Sequence, residues 1–283
     1  MTAFLNIRSA IAQGTELLAR AEVMAPRLNA EVLLAHAMHC QRVYFHAHPE
    51  QTLRQVEWLH YGRYLDERIR GKPTQYITQK QEFWGREFRV GPAVLIPRPE
   101  TELLVERVLH LADLHPVQGA KLLIDIGTGS GAIAVTLALT MSDARTCATD
   151  VSRDALQIAR INAATHGAGV QFIEADLLTP FGDEIANVVV SNPPYVPLSD
   201  LPAMQREVRD YEPHLALFAG STGLEIYRCL IPEAWRVLKP GGLLALELGF
   251  GLAESVRALV DGWSDVQIVS DLSGIPRVLS AKK

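Results

Sequence analysis

The chain has 283 residues, 48% hydrophobic and 21% charged, with a formal net charge of −5. That length accommodates one large domain and a small one, and the balance is that of a globular protein rather than a disordered or fibrous one. A mildly acidic chain has no global positive field with which to hold a phosphodiester backbone, which argues against a stable nucleic-acid complex.

The opening residues Met1-Thr2-Ala3-Phe4-Leu5-Asn6 lack a basic segment followed by an apolar block, so no secretory signal is expected. Residues 1–80 read as a small helical domain. Ala30, Leu33, Leu34 and Ala37 recur at helical spacing, as do Val56, Leu59 and Ile69 with charged residues between them. Pro26, Pro49 and Gly71-Lys72-Pro73 punctuate the region. His36, His39 and Cys40 lie at helical spacing in an apolar stretch and are read as core packing, not as metal ligands. With Cys147 and Cys229 far from Cys40 and from each other, neither a zinc site nor a disulfide framework is expected, and a reducing cytoplasm is the simplest compartment.

Residues 81–101 read as a linking β-hairpin, with Phe83, Phe88, Val90, Val94 and Ile96 divided by turn signals at Gly85 and Gly91-Pro92. Phe83 and Trp84 are read as hairpin packing. Arg98 and Glu100 are read either as a salt bridge beside the hairpin or as groups that gate substrate.

Residues 102–283 alternate helix and strand. Helices are expected over Leu103 to Leu114, Ala132 to Leu139, Asp154 to Thr165 with Ser152 as N-cap, Leu224 to Leu238 and Leu252 to Val260. Strands are expected over Leu122 to Ile126, Thr146 to Thr149, Val170 to Ile173, Val188 to Val190, Leu243 to Leu248, Val266 to Val269 and Arg277 to Ser280, with Lys239-Pro240-Gly241-Gly242 closing the helix Leu224 to Leu238. This alternation predicts an α/β fold with a doubly wound sheet. The most apolar stretch, Leu122 to Met141, contains Asp125 and a glycine loop, so it reads as strand, turn and helix rather than a membrane span.

Two motifs carry chemistry. Gly127-Thr128-Gly129-Ser130-Gly131 follows a strand and opens a helix, where glycines let the backbone approach a ligand and the helix start offers free N–H groups. Asp150 ends the next strand, where a carboxylate can accept from both ribose hydroxyls of an adenosine. Alone, this pattern also fits a nicotinamide loop. Asp125, placed before the first glycine, suits the sulfonium and ammonium of S-adenosyl-L-methionine and would repel a pyrophosphate.

The second motif, Asn192-Pro193-Pro194-Tyr195, closes the fourth strand and should face the glycine loop. A planar amide nitrogen is a poor nucleophile with two N–H donors. To methylate one, a site needs acceptors that grip those hydrogens and aim the nitrogen. Asn192 offers a side-chain carbonyl, Pro193 a backbone carbonyl, Pro194 rigidity and Tyr195 an aromatic face. Rate would then come from orientation and electrostatics, without a strong base.

At these residues the chain resembles the N5-glutamine methyltransferases of peptide-chain release factors, the PrmC/HemK family. The resemblance extends to Gly71-Lys72-Pro73-Thr74-Gln75-Tyr76-Ile77, to Leu95-Ile96-Pro97-Arg98-Pro99-Glu100-Thr101-Glu102, to Glu212-Pro213 and to Asp271-Leu272-Ser273-Gly274 with Arg277. It implies a class I (Rossmann-like) methyltransferase domain after a helical domain that docks the substrate. It also implies S-adenosyl-L-methionine as cofactor and, as partner, bacterial release factors methylated at the glutamine of their Gly-Gly-Gln motif. By the same resemblance Gly127, Thr128, Gly129, Ser130 and Gly131 would hold the cofactor's amino-acid end and Asp150 its ribose. Asp176 and Leu177 would lie at the adenine edge, and Asn192 would touch cofactor as well as substrate. Asn192, Pro193, Pro194 and Tyr195 would hold the substrate glutamine, with Asn192, Pro193 and Tyr195 as the catalytic set. A cytoplasmic monomer without metal, membrane or nucleic acid is expected. Two alternatives share the amide-gripping chemistry. A ribosomal-protein glutamine methyltransferase would read Arg-Ser-Pro-Ile-Ala-Glu near Arg98, and a DNA adenine-N6 methyltransferase would need a basic surface for the backbone.

Overall fold

Asn6 starts the first helix by accepting a hydrogen bond from the Ser9 amide at 2.9 Å, which caps one of the free N–H groups of a helix start. The computed structural model describes residues 5–114 and 121–283; Met1 to Phe4, where no signal is expected, lie outside the described residues. In chain order, helices α1 (Ile7–Arg20), α2 (Pro26–Met38), α3 (Tyr44–Ala47), α4 (Gln55–Ile69) and α5 (Thr74–Thr78) precede strands β1 (Lys80–Phe83) and β2 (Arg86–Arg89). Then come α6 (Thr101–Leu114), β3 (Lys121–Ile126), α7 (Ala132–Thr140), β4 (Ala144–Asp150), α8 (Arg153–His166), β5 (Val170–Glu174) and β6 (Ala186–Ser191). The chain ends with α9 (Arg206–Tyr211), α10 (Glu225–Val237), β7 (Leu238–Glu247), α11 (Ala253–Leu259), β8 (Ser264–Ser270) and β9 (Pro276–Lys282).

Two units form. The first comprises residues 1–79 together with Gln205–Tyr211, and the second comprises Lys80–Met204 and Glu212–Lys283. No local pattern near residue 208 marks that short segment as one that groups with the helices.

In the first unit, α1 buries Ile7, Ala10, Gly14 and Leu18, and α2 buries Ala30, Leu33, Leu34 and Ala37 as its spacing predicts. The face of α4 differs from the expected one. Val56 and Leu59 are exposed, and the buried stripe is Glu57, Tyr61, Tyr64, Leu65 and Arg68. Two tyrosines bring more contact area than a valine and a leucine, and Tyr61 also satisfies its hydroxyl inside by donating to the Ala10 carbonyl at 3.3 Å. That hydroxyl occupies the space a side chain at Gly14 would need: a Cβ there would lie 1.9 Å from it. Gly14→Ala is therefore expected to destabilise this unit by about 1–3 kcal/mol through overpacking, read as a lower urea midpoint at unchanged slope. His36 packs its ring 5.0 Å from Tyr64, whereas His39 is exposed at the left-handed residue that ends α2, so only part of that trio lies inside. Arg68 is buried, pairs with Glu207 of α9 at 2.5 Å and donates to the Asn29 side chain and the Lys72 carbonyl. A buried guanidinium needs several acceptors of this kind.

In the second unit, β1 and β2 form the predicted hairpin. Its turn residues Trp84 and Gly85 both have positive φ, at 52° and 66°, as a two-residue turn matching strand twist requires. The seven-stranded sheet has the order β5-β4-β3-β6-β7-β9-β8, parallel except for β9, which is antiparallel to both neighbours. Successive residues of the central strands face opposite layers. Ile124, Ile126, Val189 and Leu244 pack with α10 and α11, while Leu123, Val188, Val190 and Ala245 pack with α6, α7 and the hairpin phenylalanines. Both faces are covered, so the strands read as continuous apolar runs.

Lys239-Pro240-Gly241-Gly242 follows the end of α10 at Val237, as expected, but it lies within a strand. β7 already begins at Leu238, and a register shift opposite Ala186 and Val188 absorbs the extra residues, with Gly241 and Gly242 bonded to Lys283. The order of strands reverses at β3 and β6, so their carboxyl ends flank the crevice where this architecture binds ligands.

Candidate functional site

The crevice holds a cavity of about 270 Å³ lined by the glycine loop, Asp150, Asp176, Leu177, Asn192 and Pro194. The loop takes its shape from the backbone. Gly129 has φ +55° and a Cβ there would project into open space, so the position leaves room for a ligand that a side chain would fill. Gly131 has φ +82° for a different reason: a Cβ would come within 3.1 Å of the Ala159 Cβ, so glycine lets α8 pack against the start of α7. Thr128 donates to Asp125 at 2.6 Å and its amide bonds the Thr149 carbonyl at 3.0 Å. Asn162 is buried on α8 and donates to the Ser130 carbonyl at 2.8 Å, tying the loop to that helix. A lone buried asparagine among the alanines of α8 carried no readable signal in the sequence.

Asp150 accepts from the Gly129 amide at 2.9 Å and the Ser152 amide at 2.8 Å, which aims its carboxylate at the loop. Burial raises its pKa, and those two amides pull it back down. Asp125 is fully buried beneath the loop, and its Oδ1 has no hydrogen-bond partner among the described residues. Burial pushes it to about 7, against the stabilising Thr128 hydroxyl. Leu177 is held at φ +46° with its carbonyl bonded by Thr149 at 3.1 Å, a strained backbone that puts Asp176 and Leu177 on the cavity wall. Ala155, Ile226 and Leu230 supply an apolar surface beside them.

On the opposite lip, Asn192 donates from Nδ2 to the Thr101 hydroxyl at 3.2 Å, which leaves its carbonyl oxygen as the free end of the amide. Pro193, though buried, and Pro194 both line the cavity. The Tyr195 ring lies against Gly249, where a Cβ would come within 2.8 Å of it, and its hydroxyl points to Glu247 at 3.4 Å. Tyr195 therefore braces the loop from behind and is not among the cavity-lining residues.

Arg98 lines the cavity but does not pair with Glu100. Its partner is the buried Glu212 at 2.5 Å, which also accepts from the Ile96 amide at 3.1 Å. That bond anchors residues 96–98 across 114 positions of sequence, a distance over which no local pattern reports. Thr101, Asn162, Glu212 and Glu247 are thus the buried polar groups that sequence reasoning left out of the site.

The arrangement fits an adenosine-bearing, cationic cofactor on one side and an amide on the other. An open glycine cradle, a carboxylate aimed at it and an unpartnered buried carboxylate oxygen below all favour a positively charged ligand over a pyrophosphate.

Comparison with known proteins agrees. Residues 9–78 match the family described as PrmC N-terminal domain and residues 100–209 that described as methyltransferase small domain. The chain is 43% identical over 281 residues to a release factor glutamine methyltransferase of Koribacter versatilis, covering 99% of each chain. It is 41% identical to the Geobacter sulfurreducens protein of the same name, covering 94% of this chain and 92% of that one. Among solved structures, the Thermus thermophilus 16S rRNA N2 G1207 methyltransferase in complex with AdoMet and guanosine superposes with a TM-score of 0.53 at 18% identity, covering 72% of this chain and 49% of that one. The last likeness is one of fold.

Proposed function

Since the chain belongs to the release factor glutamine methyltransferases, we propose that it methylates the N5 amide nitrogen of the glutamine in the Gly-Gly-Gln motif of peptide-chain release factors. S-adenosyl-L-methionine is the methyl donor, and when bound it supplies an electrophilic methyl group on a sulfonium. The observation that carries the reading is the Asn192 amide, held from behind by Thr101 so that its oxygen is free at the cavity lip.

The chain's own residues account for the rest. Gly129 leaves the cradle open, Asp150 takes the ribose hydroxyls, and Gly127, Thr128, Ser130 and Gly131 surround the amino-acid end. Asp176 and Leu177 border the adenine. Asn192 Oδ1 and the Pro193 carbonyl accept the two amide hydrogens of the substrate, and Pro194 stiffens the loop so that neither acceptor drifts. With both hydrogens held, the nitrogen lone pair is turned out of conjugation and towards the methyl. No strong base is needed, because the hydrogen being shed becomes acidic as the nitrogen gains its fourth bond, and it leaves as a proton to solvent water.

In this reading the protein works as a cytoplasmic monomer without stably bound nucleic acid, and its helical unit docks the release factor. Among the described residues no helix is long and apolar enough to cross a membrane. Mass spectrometry of a bacterial release factor after incubation with enzyme and cofactor should show one added methyl on the loop glutamine. Label appearing instead on a ribosomal protein, or on adenine of duplex DNA, would replace this substrate with one of those.

A further inference from the structure

Behind the amide-gripping loop lies a buried carboxyl that the proposed chemistry does not use. Glu247 ends β7, is 2% exposed, and is not among the residues that line the cavity. The Tyr195 hydroxyl donates to its Oε1 at 3.4 Å, the Thr101 side chain is near enough to lower its pKa, and Oε2 is left without a hydrogen-bond partner among the described residues. Thr101 in turn receives the Asn192 Nδ2. A Thr101 hydrogen turned to the open Oε2 completes a relay from Asn192 through Thr101 to Glu247.

The polarity of that relay matters because an asparagine amide can turn over. One end accepts and the other donates, and only the accepting end can hold a substrate NH2. A threonine hydroxyl has a single hydrogen. A carboxylate can only accept, so it takes that hydrogen and leaves the hydroxyl lone pair towards Asn192. Asn192 must then give its NH2 to Thr101 and present its oxygen to the cavity. We propose that Glu247 is a positioning residue: as a carboxylate it polarises Thr101 and thereby fixes which end of the Asn192 amide meets the substrate nitrogen. A protonated Glu247 has a hydrogen to give, the relay can reverse, and the cavity would then face a donor.

The groups around Glu247 place its titration near working pH. Burial dominates and raises it, Thr101, Arg277 of β9 and Tyr195 lower it, and Glu100, just before α6, raises it, leaving it at about 7. Arg277 is itself paired with Asp271 at 2.9 Å, and the Tyr227 hydroxyl of α10 bonds the Glu247 backbone carbonyl at 2.7 Å. The sign follows: the working form is the ionised one, so turnover falls as pH drops through about 7 and is retained above it.

The proposal rests on the glutamine-methylating reading, and the test separates the two. Turnover is measured on a release factor at saturating cofactor across neutrality, so that titration of Asp125 acting on cofactor binding drops out. Wild type should show an acid limb. Glu247→Gln should lose that limb and roughly tenfold in kcat, with the KM for cofactor unchanged. Thr101→Val should behave alike, Thr101→Ser should restore activity, and the double variant should cost no more than either single one. The Asn192 side-chain amide resonances, which need no substrate, should move with pH near neutrality in wild type and stay still in Glu247→Gln. An active wild type with an unchanged kcat and acid limb in Glu247→Gln overturns the inference, as do pH-independent Asn192 resonances. A wild type that leaves the release factor unmethylated overturns the substrate reading instead, and the resonances still decide the relay. Should Glu247→Gln fail to fold, equal turnover of Thr101→Val and Thr101→Ser sinks the inference.

Discussion

Replacing Asn192 with alanine should reduce turnover by roughly 10³-fold while leaving the Kd for S-adenosyl-L-methionine almost where it was. The asymmetry follows from where its contacts lie. Asn192 stands on the lip opposite the glycine loop, with its Nδ2 engaged by Thr101 and its oxygen free. In the proposed site cofactor affinity would come from the other side, where the loop backbone and Asp150 line the cavity. Removing the acceptor frees the substrate nitrogen to rotate and lets its lone pair stay conjugated, a loss felt in the transition state far more than in binding. Asn192→Asp is the informative companion. It keeps an acceptor but removes the NH2 that bonds Thr101, so the carboxylate is no longer locked and activity should fall almost as far. The measurement is single-turnover methyl transfer beside calorimetric titration of cofactor. Turnover of the alanine variant within tenfold of wild type would contradict the assigned role.

Asp150→Ala should act in the opposite sense, raising the cofactor Kd by roughly 10- to 100-fold, since hydrogen bonds to a charged acceptor each contribute about 1.5–3 kcal/mol. Turnover at saturating cofactor should fall by much less. Beside the proposed ribose contact, Asp150 has a structural duty, since its oxygens hold the Gly129 and Ser152 amides at 2.9 and 2.8 Å. Asp150→Asn separates them. One amide oxygen remains to accept, the charge is gone, and the loss of affinity should be intermediate. Melting of all three proteins distinguishes a slackened loop from a lost ribose contact: a large drop in Tm for the alanine variant alone would assign the effect to loop structure. A Kd within twofold of wild type would remove Asp150 from the cofactor site.

Much of the site was legible because its parts are local. The turn at Gly127 to Gly131 needs left-handed backbone and open space, and glycine is the residue that supplies both. The two prolines after Asn192 restrict their own backbone. Ser152 caps α8 at the residue expected, with its oxygen 3.2 Å from the Ala155 amide. The doubly wound order, too, follows from strands alternating with helices. Elsewhere local pattern misled. Val56 and Leu59 share a helical spacing, yet α4 turns Tyr61 and Tyr64 inward, and Gly14 of α1 leaves the slot that the Tyr61 ring fills. Lys239 to Gly242 has turn chemistry, yet the neighbouring strand and Lys283 draw it into β7.

What the chain alone determined, then, is the set of elements, the cradle and the amide-gripping loop, because periodicity, turn residues and caps are written within a few positions of each other. Only the tertiary structure decided that residues 205–211 group with the helical unit, that Arg98 pairs with Glu212 and not Glu100, and that Tyr195 turns towards Glu247. A buried polar group is stable only with a partner, and that partner is chosen by which distant segments the packed core brings within hydrogen-bonding reach.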